Sequence, residues 1–151
     1  MDLSLDCEEG CLNIRVAALI QSQGKLLISM YPDGLRSLPG GRVLFGENTR
    51  DAIQREIMEE TGYHLKSPAL VGIIENFFEQ KKTGKKYHEY LYVYREAVER
   101  TEMIKTNIQK DQTILWQSLE TARDLEPRVL TQFFQETPPN TFQHIVNNDH
   151  L

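Results

Sequence analysis

The segment from Asn48 to Gly62 limits the fold more than any other part of the chain. Asn48 is a good helix N-cap, and Asp51 three residues later comes close to a capping box. Gly62 suits the position just past a helix end. The segment therefore predicts a helix over Thr49–Thr61. At about 100° per residue, Glu56, Glu59 and Glu60 fall within roughly one third of its circumference. Ile53 and Ile57 form the adjacent apolar stripe, and Ala52 lies one turn before Glu56. Such a helix must lie against an apolar surface with its carboxylates at the border of the core. Like charges on adjacent turns repel, and a helix C-terminus disfavours negative charge. A hard divalent cation with oxygen ligands would offset this cost, and Arg55 can pair with Glu59 one turn away. By itself, a solvated acidic face is the usual fate of such a run.

The flanking segments read as strands. Leu12 to Ile20 alternates, with Leu12, Ile14, Val16, Ala18 and Ile20 on one face. Gln21 to Gly24 reads as a turn and Lys25 to Tyr31 as a second strand, ended by Pro32-Asp33-Gly34. Leu38-Pro39-Gly40-Gly41 is another break. Ala69 to Phe78 and Tyr87 to Arg95 read as strands joined in a hairpin through Lys82-Thr83-Gly84-Lys85. Ile114 to Ser118 is a short strand around Trp116. Pro127 opens a second helix with Val129, Leu130, Phe133 and Phe134 on one stripe, ended by Thr137-Pro138-Pro139-Asn140. Phe142 to Asn147 is a last strand or a partner-contacting tail. Strands, helix, strands and helix in that order imply an α/β fold with a mixed sheet. The chain of 151 residues is expected to be one domain, with 1–10 as an N-terminal arm and 137–151 as a tail or last strand.

Composition narrows the class of function. Hydrophobic residues at 40% and charged residues at 26% suit a globular protein. No apolar run could span a bilayer, and the acidic start from Met1 to Gly10 is unlike a secretory leader, so the expectation is a cytoplasmic protein with no membrane partner. The net charge of −5 disfavours nucleic-acid binding. It leaves room for a small phosphorylated substrate, because a bound cation reverses the local field. Cys7 and Cys11 are expected to be reduced thiols rather than a disulfide or half a metal site.

The residues around the helix form a longer pattern. Gly41 is followed by five residues and Glu47, then seven residues and Arg55-Glu56-Ile57-Met58-Glu59-Glu60-Thr61-Gly62-Tyr63. This resembles the Nudix box. At ordinary residue frequencies its seven fixed positions match by chance on the order of once in a billion starting points. Tyr63 departs from the aliphatic residue usual there. The resemblance to Nudix hydrolases extends over roughly residues 11 to 135, with Leu38-Pro39-Gly40-Gly41 before the box and Trp116-Gln117-Ser118-Leu119 after it. It implies an α/β/α sandwich that hydrolyses a phosphoanhydride bond with Mg²⁺ or Mn²⁺.

By that resemblance Glu56, Glu59 and Glu60 are metal ligands and carry the catalysis, Glu47 is an accessory ligand or support, and Arg55 orients a carboxylate. Gly40 and Gly41 allow a close backbone approach, with Arg42 beside them as a phosphate contact ahead of Arg15 and Arg36. Glu89 shares a strand face with Leu91 and Val93, and with Tyr87 and Arg95. It is expected to reach the metal site as ligand or base if that face packs toward the helix, with Glu75 the lesser candidate and His88 a surface residue. Phe78 and Tyr87, with Phe77, are candidates for stacking on a base, although strand aromatics more often pair with each other.

Signatures of the family's ADP-ribose, dinucleoside-tetraphosphate and coenzyme A enzymes are not visible. The first-choice substrate is a nucleoside triphosphate, with ADP-ribose or a nucleotide sugar as the alternative. A non-catalytic nucleotide-sensing domain is the reading from another class. A homodimer is a compatible assembly.

Overall fold

The computed structural model describes residues 1–108, 111–134 and 141–149. In chain order the strands are β1 (Ser4–Cys7), β2 (Gly10–Ser22), β3 (Lys25–Met30), β4 (Arg36–Ser37), β5 (Gly40–Arg42), β6 (Ala69–Glu79), β7 (Lys86–Ala97), β8 (Asn107–Ile108), β9 (Thr113–Ser118) and β10 (Gln143–Asn148). One α-helix, α1, spans Thr49–Thr61, and 3-10 turns cover Thr101–Met103 and Arg128–Phe133. The strands form one mixed sheet in the order β10-β6-β7-β2-β3-β9-β8, with β1 and β5 on β2 and β4 on β3. β2 runs parallel to β7, and β10 runs parallel to β6. Among the described residues no helix is long and apolar enough to cross a membrane.

β2 is the axis of the sheet, and both of its faces are covered. Val16, Ala18 and Ile20 pack with Ala52, Ile53 and Ile57 of α1. Ala17 and Leu19 point the other way and pack with Leu91, Val93, Leu130 and Phe133. A strand covered on two faces reads as nearly continuous apolar sequence. This explains why its alternation shows one buried face clearly and hides the second.

The N-terminal arm and the second helix differ from the sequence expectation. The N-terminal arm is a strand: β1 turns at Gly10 and pairs with β2 from Ser4↔Asn13 to Cys7↔Gly10. Of the two readings of the C-terminal segment, the last strand is the one formed: β10, Gln143–Asn148, lies in register on β6. The second helix is a 3-10 segment. Three residues per turn put Leu130 and Phe133 one above the other, and both are buried. Arg95 donates a hydrogen bond to the Phe133 carbonyl and fixes this segment to the sheet. The proposed terminator at 137–140 lies outside the described residues. Cys7 is exposed, Cys11 is buried, and both are free thiols.

The break at Pro39-Gly40-Gly41 has a structural purpose. β3 pairs with β2 only at Gln21↔Leu26 and Ser22↔Lys25, then diverges. β5 fills the space and pairs with Arg15, Val16 and Ala17 of β2. A Cβ on Gly40 would collide with the Val16 carbonyl oxygen, which is backbone and cannot move aside. Gly40→Ala is therefore expected to lower stability by about 1–3 kcal/mol through overpacking, measured as a lower urea midpoint at unchanged slope.

Candidate active site

α1 begins and ends where its caps require. Asn48 is extended (φ −77°, ψ 160°) and its side chain accepts from the Asp51 N–H at 2.8 Å. Gly62 is left-handed at φ 74°, and its N–H reaches the Met58 carbonyl at 2.8 Å. Ala52 is fully buried with Ile53 and Ile57 in the helix–sheet core, so the carboxylate border begins at Glu56. Tyr63 packs against the same core as an aliphatic residue would.

Arg55 is the hub of the acidic cluster. Its Nε donates to Glu47 Oε2 at 2.8 Å and its Nη2 to Glu47 Oε1 at 3.0 Å. Nη2 also donates to the Arg42 carbonyl at 3.1 Å. Nη1 donates to Glu56 Oε1 at 2.8 Å and lies 3.5 Å from both oxygens of Glu59. The guanidinium has five N–H donors in a rigid fork, and this arrangement uses all of them. Arg55 thereby ties the loop before the helix, β5 and two turns of the helix into one unit. Its hydrogen bonds hold the Glu47 carboxyl below its ordinary value.

Glu56 and Glu60 are pushed the other way. Burial raises the Glu56 carboxyl against the pull of Arg55. Burial raises Glu60 further, to about 7, against a hydrogen bond from Gln112. Ser29 Oγ donates to Gln112 Oε1 at 2.7 Å and so orients the Gln112 amide. Glu60 Oε2 is buried without a partner. Gly41 faces the helix, and a Cβ there would collide with the Glu56 carboxylate. The missing side chain leaves that carboxylate its place.

A cavity of about 890 Å³ opens on the sheet face away from α1. Arg15, Arg42, Asn13, Asn76, Phe78, Tyr87, Glu89 and Leu91 help to line it. Arg15 belongs to the cavity, yet its charge also acts on Glu56 and Glu60. Arg42 leaves its Nε buried without a partner, while its Nη1 lies 3.7 Å from Asp2.

Arg55 draws Glu47, Glu56 and Glu59 together and Gly41 lies against Glu56, whereas Glu60 on the same helix meets Gln112 instead. The structure does not bring Glu89 to them. Glu89 shares a face with Leu91 and Val93 as expected, but that face belongs to the core on the far side of the sheet from α1. Phe78 and Tyr87 stack on each other at 4.9 Å and 7°, as a cross-strand pair on the cavity wall. Glu75 points to the opposite face and pairs with His144 at 2.6 Å. His88 is exposed and packs on Phe77 and Tyr90. Sequence reasoning missed Gln112, which meets Glu60 only through the fold, and Ser29, which bonds to Gln112. It also missed Asn13 and Asn76, buried polar residues in phase with apolar neighbours on their strands.

A mixed sheet with a carboxylate-bearing helix packed on one face fits the α/β sandwich of a Nudix-type domain. A model of the NUDIX domain matches residues 12–136, and the chain belongs to that family. It is 43% identical over 60 residues to a putative 8-oxo-dGTP diphosphatase from Bacillus subtilis. That match spans 40% of this chain and 40% of the relative, so less than half of that protein's length is represented. A MutT protein from Methanosarcina mazei is similar in structure at TM-score 0.62 and 27% identity, over 85% of this chain and 94% of that one. A MutT protein from Bacillus halodurans reaches TM-score 0.67 at 17% identity, over 87% and 86% of the two chains, which is a likeness of fold alone.

The raised Glu60 value has a consequence for stability. Below its ordinary value near 4.5, both folded and unfolded chains hold the proton; above about 7, neither does. Between these limits the folded chain keeps a proton that the unfolded chain has lost, so stability falls as pH rises through the interval. Glu60→Gln is expected to flatten this decline in metal-free protein and to raise the urea midpoint at pH 8. The check is a series of unfolding curves from pH 5 to 8.

Proposed function

We propose that the chain is a divalent-cation-dependent hydrolase of a phosphoanhydride bond in a nucleotide-type substrate, with nucleoside triphosphates as first choice. The observation that carries this reading is the carboxylate helix, with Glu47, Glu56 and Glu59 held on Arg55 and Glu60 Oε2 buried without a partner. Arg15 and Arg42 line the cavity on the other face of the sheet. A substrate with its organic part in the cavity and its phosphates beside Arg15 and Arg42 would present its anhydride to the carboxylate helix. The likeness to a putative 8-oxo-dGTP diphosphatase supports the same class of substrate.

The donor set suits a hard cation. The candidate ligands are all carboxylate oxygens, and the buried, unpartnered Glu60 Oε2 is a vacant ligand atom. Among the described residues no three acidic, histidine or cysteine side chains are already gathered as a ligand set. The cause lies in the hydrogen bonds: Arg55 draws on Glu56 and Glu59, while Gln112 holds Glu60. Glu56, Glu59 and Glu60 would hold Mg²⁺ or Mn²⁺, which would polarise a phosphoryl oxygen and activate a water. Glu47 spends both oxygens on Arg55, so we assign it a supporting role rather than that of a ligand. Arg55 keeps Glu56 and Glu59 in place as the charge around them changes. Arg15 and Arg42 bind and orient the phosphates.

Two measurements test this reading. A panel of nucleotides incubated with Mg²⁺ should release pyrophosphate plus a nucleoside monophosphate; two organic monophosphates would instead identify a nucleotide-sugar type of substrate. Glu59→Gln and Glu60→Gln should each lower turnover by orders of magnitude with the fold intact, and wild-type rates in both would overturn the site. Separately, Mg²⁺ or Mn²⁺ at 100 times its Kd should add about 2.7 kcal/mol of apparent stability, seen as a higher melting midpoint. Equal midpoints with no heat of binding would exclude a cation site.

A further inference from the structure

Strand register places four polar side chains in one row, three of which, Asn13, Glu89 and Asn76, line the cavity. Asn13 on β2 lies opposite Glu89 on β7, Glu89 opposite Asn76 on β6, and Asn76 opposite Asn147 on β10. All four are buried: Asn13 is 2% exposed, Asn76 4%, Glu89 6% and Asn147 8%. The next row along the same face is Arg15, Leu91, Ile74 and Ile145, where the apolar core begins. A polar row at this depth is costly unless its hydrogen bonds are complete.

Three members of the row are tied down. Asn13 Oδ1 accepts from Ser4 Oγ at 2.7 Å and from Cys11 Sγ at 3.3 Å. Asn147 Nδ2 donates to Asn76 Oδ1 at 2.7 Å and to Asp149 Oδ2 at 3.2 Å. Glu89 is the exception. Among the described residues it has no ion-pair partner, and its one hydrogen bond is a long contact from Asn76 Nδ2 to Oε1 at 3.5 Å. A buried carboxylate with two oxygens and one weak donor has room for two further donors, and it faces the cavity.

We infer that Glu89 reads the substrate's base, and that the base it selects is guanine or a guanine derivative with an intact N1–H and 2-amino edge. This rests on the reading of the cavity as a nucleotide site. The argument is donor counting. Two carboxylate oxygens accept from two adjacent N–H groups, and guanine offers that pair on one edge, the ring N1–H beside the 2-amino group. Adenine and cytosine place a ring acceptor beside their amino group, so one carboxylate oxygen would face a lone pair. Thymine and uracil flank a single N–H with two carbonyl oxygens, which the carboxylate repels. Oxidation at the imidazole side of guanine leaves the selected edge unchanged, so an oxidised guanine nucleotide fits by the same contacts. Hypoxanthine keeps the ring N–H and loses the amino group, which makes it an intermediate case. The stacked Phe78–Tyr87 pair lies one row along from Asn76 and Glu89 on the same cavity wall. In this assignment Glu89 is a specificity residue rather than the metal ligand or base expected from the sequence.

The test compares kcat/KM for GTP, ITP, ATP, CTP and UTP with Mg²⁺, in the wild-type protein and in Glu89→Gln. The wild type should prefer GTP to ATP by at least about 100-fold, above what an apolar pocket alone achieves and toward the roughly 10⁴-fold by which a site built to hydrogen-bond a substrate group rejects an analogue lacking it. ITP should fall between them. Glu89→Gln replaces one acceptor by a donor and should cut the GTP-to-ATP ratio at least about 10-fold while ATP hydrolysis persists. Hydrolysis of all five at similar rates, or a Glu89→Gln variant with an unchanged ranking, overturns the base assignment and leaves the hydrolase reading standing. A Glu89→Gln variant that loses turnover on every nucleotide equally while remaining folded also overturns it, in favour of a catalytic role. If Glu89→Gln does not fold, the wild-type ranking decides alone, and a preference for ATP or a pyrimidine refutes the proposal. No hydrolysis of any nucleotide refutes the underlying reading instead.

Discussion

One guanidinium holds this site together. Three glutamates within two turns of a helix, near its C-terminal end, are unfavourable by charge repulsion and by the helix dipole. Arg55 offsets that cost with a fork of donors shared among Glu47, Glu56, Glu59 and the Arg42 carbonyl. Because two of these partners lie outside the helix, the same contacts that neutralise the cluster also fix the helix against β5. Electrostatic relief and positioning come from one side chain. A lysine, with a point charge and no planar fork, could not make both.

The placement of that unit follows from the early divergence of β3 from β2. A longer β2–β3 hairpin would occupy the edge of β2 that β5 takes. Once β5 is inserted, Gly40 lies against the Val16 carbonyl and Gly41 under Glu56. The two glycines therefore serve different neighbours, one the sheet backbone and the other a site carboxylate. The sheet meanwhile separates two tasks. Its helix-side face supports the carboxylates, and its other face forms the cavity that Arg15 and Arg42 help to line.

The legible parts of the sequence were those governed by neighbours along the chain. The caps at Asn48 and Gly62, the carboxylate face of α1, the two long strands and the spacing from Gly41 to Tyr63 all depend on short-range geometry, and the structure follows each of them. The second helix was read less well, because a stripe at 130 and 133 suits a 3-10 turn as well as an α-helix. Glu89 shows where such reading ends. Its phase with Leu91 and Val93 was correct, but phase names a face and does not say what covers it.

The sequence by itself determined a carboxylate-bearing helix, its caps, the arginine beside it and a family resemblance strong enough to name the chemistry to test. Those features are encoded locally, within turns of a helix or steps of a strand. Only the tertiary structure decided that α1 covers one face of β2 and the cavity the other. It also decided that Gln112, oriented by Ser29, meets Glu60, and that Asn13, Glu89, Asn76 and Asn147 form a single row. These relations join residues from strands and loops far apart in the chain, and they arise only when non-local strand register is set. Register depends on the packing of both sheet faces at once, which no single segment carries.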